Sequence, residues 1–176
     1  MVAPGIYLGN ASHARNLQLL EQLQITHVLN CASQTETETG PAYYARHANF
    51  EYFELGATDD EITELVAPYL RQVVSFVDSA LLQRSSVLIH CVKGVNRSPA
   101  LCVAYMMKRL RKPLLNAVME VWEQRPLVLR NASFCRELAV FGRQENLLEA
   151  PSLQSAPVTS NFAGGRGRPT LEDLMG

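Results

Sequence analysis

The stretch Val87-Leu88-Ile89-His90-Cys91-Val92-Lys93-Gly94-Val95-Asn96-Arg97-Ser98-Pro99 decides how this chain folds and what chemistry it carries. Residues 87–89 form a short, wholly apolar run, the pattern of a strand buried on both faces. From residue 98 to about 111 the apolar positions recur at helical spacing, and Pro99 suits a first helical turn, where its missing N–H matters least. The residues between must therefore turn the chain sharply from strand to helix. Gly94 permits a backbone conformation closed to other residues. Such a turn aims successive N–H groups inward as a concave anion site, and the positive end of the helix dipole adds to it. Arg97, at the helix start, supplies a planar fork of donors matched to two phosphate oxygens. The same field favours a nucleophilic thiolate at Cys91. A thiolate inside a phosphate cradle predicts covalent phosphoryl transfer, with attack on phosphorus followed by release of the phosphate. By average residue frequencies His-Cys-x-x-Gly-x-x-Arg-Ser arises in a chain of this length roughly once in a hundred thousand, so the spacing is read as functional.

Outward from this stretch, strands and helices alternate. Residues 5–9, 25–30 and 50–55 read as further strands, the second β-branched and apolar. Helical spacing covers 16–24, 65–82, 115–124 and 132–146, and Pro113 and Pro126 mark breaks. The polar stretch 34–40 (Gln-Thr-Glu-Thr-Glu-Thr-Gly) reads as a surface loop. Interleaved strands and helices followed by a run of helices predict an α/β domain: a central, mostly parallel sheet flanked by helices, with a helical C-terminal half. In such sheets reactive loops lie beyond the carboxyl ends of the strands, which is where residues 90–98 fall. One domain over 1–149 and a flexible tail over 150–176, rich in Ser, Pro, Gly and Arg, are expected.

Composition narrows the function classes. Of 176 residues 47% are hydrophobic and 19% charged, ordinary for a folded domain. The net charge of −1 gives no basis for binding a polyanion through bulk charge, so nucleic acid is disfavoured as a partner. No apolar run approaches the ~20 residues of a membrane span, and neither a secretory leader nor a myristoylation site is expected from the first residues. Cys31, Cys91, Cys102 and Cys135 match no zinc or CxxC spacing. Free thiols in a reducing compartment, cytoplasmic or nuclear, are the expectation. Cys102 and Cys135 read as buried hydrophobes. The basic run at 108–112 reads as a solvated helix end.

His-Cys-Val-Lys-Gly-Val-Asn-Arg-Ser resembles the signature of the cysteine-based protein phosphatases. The residues around it resemble the dual-specificity branch: Gly-Ile-Tyr-Leu-Gly-Asn from residue 5, Ile-Thr-His-Val-Leu-Asn-Cys from 25, Ala-Tyr-Met-Met from 104 and Arg-Asn-Ala-Ser-Phe from 130. Together they cover about four-fifths of the chain, and the size suggests a small, atypical member. The resemblance implies a phosphoprotein phosphatase acting on phosphotyrosine and phosphoserine/phosphothreonine. Cys91 would be the nucleophile and Arg97 the phosphate binder, with the amides of Val92, Lys93, Gly94, Val95, Asn96 and Arg97 around the phosphate. It assigns Ser98 to hydrogen-bonding the departing sulfur.

Expelling an alkoxide or phenoxide needs a proton donor. Spacing alone does not separate Asp59 from Asp60. The family's acid precedes by six positions a leucine that opens the next helix, and Leu65 selects Asp59. His90 is expected to orient the loop from behind, while His13, His27 and His47 read as structural or solvent-facing. No metal and no cofactor are expected, because Arg97 and the amides supply the charge, and the Gly-x4-Gly-Lys-[Ser/Thr] order of a nucleotide loop is absent. Lys93 is the one other cation in the loop, which disfavours phosphoinositides. Two rival readings stay open. The order Gly-x-Asn-Arg also occurs in RNA 5′-triphosphatase relatives, although those continue with Thr-Gly where this chain has Ser98-Pro99. A phosphate-binding pseudophosphatase module is the other, although both Cys91 and Arg97 are retained. Cys31, at a neighbouring strand end, is placed to pair with an oxidised Cys91.

Overall fold

The computed structural model describes residues 1–45 and 50–148. Residues 46–49 and 149–176 lie outside the described residues, and with them His47 and the tail expected over 150–176. In chain order the elements are β1 (Ile6–Asn10), α1 (Ala11–Arg15), α2 (Leu17–Gln22), β2 (Ile25–Asn30), α3 (Gln34–Thr37), α4 (Pro41–Tyr44), β3 (Glu51–Glu54), α5 (Val66–Leu82), β4 (Ser86–Cys91), α6 (Arg97–Leu110), α7 (Leu114–Gln124) and α8 (Ala132–Gln144). The sheet order is β1-β4-β2-β3, and every strand pairing is parallel. The expected mostly parallel sheet with a helical second half is therefore the fold.

β4 reads as a continuous apolar run because it has a strand on each side and a layer of helices on each face. Its side chains alternate between the two faces. Val87, Ile89 and Cys91 face a large core shared with α5, α6, α7 and α8, while Leu88 faces a smaller one with Leu20, Val28 and Tyr44. α6 is enclosed on all sides: every residue from Arg97 to Met107 is buried. A helix packed all round is a rigid support, and its N-terminus opens directly beneath the end of β4.

Several short elements were not legible as periodic patterns. α1 and α4 have only five and four residues, too short for a helical period to show. The stretch 34–40, expected as a surface loop, corrects to α3 plus a partly buried turn. Thr37 and Thr39 are buried there, bonded to each other at 2.8 Å, and Asn30 Nδ2 donates to Thr37 Oγ1 at 2.8 Å. Polar residues enter the interior because these bonds satisfy them. The basic run 108–112 is paired off: Lys108 and Arg111 with Glu145, Arg109 with Asp78, and Lys112 with Glu120.

Candidate active site

The loop at 92–96 is built by turning its carbonyls outward. Val92 O accepts from Ala11 N at 3.1 Å and Val95 O from Leu129 N at 2.7 Å. Arg125 donates from Nε to Gly94 O and from Nη2 to Lys93 O, both at 2.8 Å. A trans peptide sets each C=O opposite the following N–H. With four successive carbonyls pointing away, the N–H groups of Lys93, Gly94, Val95 and Asn96 converge inside the turn. Gly94 has φ +66, and a Cβ on it would lie 2.4 Å from the carbonyl oxygen of Gly9 in β1. Backbone conformation and the closeness of β1 both demand glycine here.

Cys91 sits at the floor of this cup, 2% exposed. Its Sγ accepts from Gly94 N at 3.2 Å and from Ser98 Oγ at 3.3 Å. Arg97 is also buried. Its Nη1 donates to Glu36 Oε1 and Oε2 at 3.2 and 3.1 Å and to Ala57 O at 2.9 Å. Its Nε lies 3.9 Å from Asp59 Oδ2 and is buried without a hydrogen-bond partner among the described residues. A buried guanidinium donor left unpaired is costly, and an oxyanion in the cup would satisfy it. The cleft above has a volume of about 690 Å³ and is lined by Glu36, Asp59, Cys91, Lys93, Arg97 and Arg130, among others. A larger groove of about 910 Å³ lies between α5 and α8 along Leu70, Val74 and Phe141. It reaches neither the cysteine nor the loop amides.

The two adjacent aspartates have different surroundings. Asp60 accepts from Ile62 N (3.0 Å), Thr63 N (2.6 Å) and Thr63 Oγ1 (2.8 Å). The Thr63 hydroxyl and N–H, then the Ile62 N–H, hold its carboxyl down to about 2. It is a turn-capping carboxylate whose oxygens are committed to Ile62 and Thr63. It does not cap α5, whose first N–H groups, those of Leu65 and Val66, go instead to Glu137 of α8. Asp59 points into the cleft, where Asn96 Nδ2 and Asn131 Nδ2 donate to its Oδ1 at 3.1 and 3.2 Å.

His90 is fully enclosed, with neither ring nitrogen in a hydrogen bond of full geometry among the described residues. Burial, only partly offset by the Cys91 backbone, pushes it down to about 4, so the imidazole is neutral at pH 7. Its carbonyl accepts from Cys31 N at 2.7 Å, which sets Cys31 beside Cys91. Both are free thiols, and burial, followed by the neighbouring Cys91 sulfur, raises Cys31 well above the ordinary thiol value. Among the described residues no group of three or more His, Cys, Asp or Glu side chains comes together as a metal cluster.

Cys91, Asp59, Arg97, Ser98 and the loop from Val92 to Asn96 are thus brought to one cleft. Sequence reasoning missed Glu36 and Arg125. The signal for Glu36 was the Ser33-Gln-Thr-Glu36 capping box, in which Ser33 and Glu36 bond reciprocally and order the turn that delivers the carboxylate to Arg97. Burial acts to raise the Glu36 carboxyl, but the Ser33 N–H and the Arg97 guanidinium outweigh it, and the net shift is downward. Arg125 carries no comparable local signal. Phe134 is wholly buried.

Residues 6–144 match the family described as dual specificity phosphatase, catalytic domain. Human protein phosphatase Slingshot homolog 3 is 33% identical over 140 residues, which are 80% of this chain and 20% of the human protein. Dual specificity protein phosphatase 1 of Arabidopsis thaliana is 35% identical over 138 residues, 78% of this chain and 66% of that protein. The chain therefore spans about a fifth of the length of the Slingshot relative. Human DUSP28, a solved structure, superimposes with a TM-score of 0.73 at 25% identity, covering 82% of this chain and 96% of that one. A parallel sheet ending in a cysteine-floored anion cup and a profile match across the whole described domain agree: the chain belongs to the dual specificity phosphatase family, through its catalytic domain.

Proposed function

We propose that the chain hydrolyses phosphotyrosine and phosphoserine/phosphothreonine monoesters of proteins through a cysteinyl-phosphate intermediate. The observation that carries this reading is that the Cys91 sulfur and a buried Arg97 Nε, without a hydrogen-bond partner among the described residues, line one cup of inward amides. Cys91 attacks phosphorus as the thiolate, and Asp59 gives its proton to the ester oxygen as the P–O bond breaks. A water, deprotonated by Asp59, then attacks phosphorus, and the S–P bond breaks with the sulfur held by Ser98 Oγ. Arg97 and the amides of Val92 to Arg97 stabilise the equatorial oxygens throughout, so the scheme needs no metal and no cofactor. Asp59 is preferred to Asp60 because the latter is committed to Thr63 and Ile62 as an ionised cap. The four free cysteines support a reducing compartment, cytoplasmic or nuclear.

The test compares phosphopeptides with 5′-triphosphorylated RNA. Turnover of phosphotyrosine and phosphothreonine peptides is expected; turnover of RNA alone moves the chain to the triphosphatase reading. Cys91→Ser abolishes hydrolysis while phosphopeptide binding persists, and binding without hydrolysis by the unaltered chain supports a binding module instead. Asp59→Ala slows phosphopeptides by about 10²–10⁴-fold, the range of general acid catalysis, and aryl phosphates with good leaving groups far less. Equal slowing of both removes the acid role from Asp59.

A further inference from the structure

Asn96 stands at the N-cap position of α6, where an asparagine normally turns its side chain to the first N–H groups of its own helix. Here it makes no such bond. Its side chain is spent elsewhere. Oδ1 accepts from Arg130 N at 2.9 Å and from Asn131 N at 3.2 Å, while Nδ2 donates to Asp59 Oδ1 at 3.1 Å and Oδ2 at 3.3 Å. The two backbone donors fix which end of the amide is oxygen, so the NH2 group must face Asp59. Asn131 is oriented in the same way. Its Oδ1 caps α8 through Ser133 N and Phe134 N, and its Nδ2 reaches Asp59 Oδ1 at 3.2 Å and Asp60 O at 2.8 Å.

Asp59 Oδ1 thus receives two amide donors, which take up both of its lone pairs, whereas Oδ2 accepts from one and keeps the place for a proton. Oδ2 has the longer Asn96 contact and faces the cup, 3.9 Å from Arg97 Nε. We propose that Asn96 is a positioning residue that keeps the proton of Asp59 on Oδ2, aimed at the leaving oxygen, and so sets how strongly the enzyme favours esters with poor leaving groups. This rests on the reading of Asp59 as the general acid. From the helix N-cap position Asn96 joins the acid loop to the 129–131 segment through one side chain. By leaving α6 uncapped, Asn96 also keeps the first helical N–H groups free for phosphate.

The test is a double-mutant cycle on the full chain. Asn96→Ser removes the amide and keeps a small polar side chain. The ratio of kcat/KM for an activated aryl phosphate to that for a phosphopeptide is expected to rise about tenfold or more, part of the full general-acid effect. On an Asp59→Asn background Asn96→Ser is expected to add nothing to that ratio. Orthovanadate inhibition and the thermal midpoint report whether the cup and the fold survive the change. Slowing of both substrates alike, no change in the ratio, or the same effect on both backgrounds overturns the proposal. Failure of the underlying reading is distinguishable: Asp59→Asn alone would then show no leaving-group selectivity, whatever Asn96→Ser does.

Discussion

Arg97 is held in place because Glu36 and Ala57 O take Nη1 and leave Nε without a partner among the described residues, free for the phosphate proposed above. A fork held from behind loses less entropy when it binds an oxyanion. Glu36→Gln keeps the shape and removes the charge. It is expected to weaken inhibition by inorganic phosphate about 5–10-fold, near the net worth of one ordinary hydrogen bond. An unchanged inhibition constant would mean that Ala57 O alone orients Arg97. Glu36 was hidden in a repetitive polar stretch, where residue type says nothing about direction. Asp59 and Asp60 make the same point. Adjacent and chemically identical, they are told apart by where Thr63, Asn96 and Asn131 lie in space.

At the scale of the element, the loop from Val92 to Asn96 depends on Ala11, Arg125 and Leu129, which turn its carbonyls away, and on β1, against which it packs. Gly94 is the tightest point, since any Cβ meets Gly9 O. Gly94→Ala is expected to cost about 2–4 kcal/mol, through the left-handed φ and the overlap together. It should also lower kcat/KM by at least about 10²-fold as the amides lose register. Urea unfolding and turnover check both, and a stable, active variant would show that β1 yields. The requirement for glycine was legible from the strand–turn–helix pattern. Its second cause, contact with β1, was not, because residues 9 and 94 meet only through the parallel pairing of β1 with β4. The basic run at 108–112, read as a solvated helix end, lies at the surface, but its partners Glu145, Asp78 and Glu120 come from other segments and were not legible along the chain.

The whole molecule buries His90 between its two layers, and this makes stability depend on pH. Its folded value of about 4 lies below the 6.5 of an exposed imidazole, so between those values the unfolded chain binds a proton that the folded chain does not. Stability is complete above about pH 6.5 and falls as pH drops toward 4. His13, lowered by burial and then by Arg125, acts in the same direction. From about pH 7.5 to about pH 5 the unaltered chain is expected to lose on the order of 2 kcal/mol, and His90→Asn should lose clearly less. Urea titrations at the two pH values decide it, and parallel slopes would remove His90 as the cause.

The sequence by itself determined β4, α6 and the turn joining them, hence the places of Cys91 and Arg97, the proposed nucleophile and phosphate binder, and of Gly94. These are contiguous, so their geometry follows from local backbone rules. Tertiary structure alone decided what surrounds that turn: Glu36 behind Arg97, Arg125 on the loop carbonyls, and the asparagine pair on Asp59. Those contacts join segments tens of residues apart, and their meeting is set by the order β1-β4-β2-β3 and the packing of helices on both faces. A periodic pattern encodes which side of a strand or helix is buried but not which distant segment will lie against it.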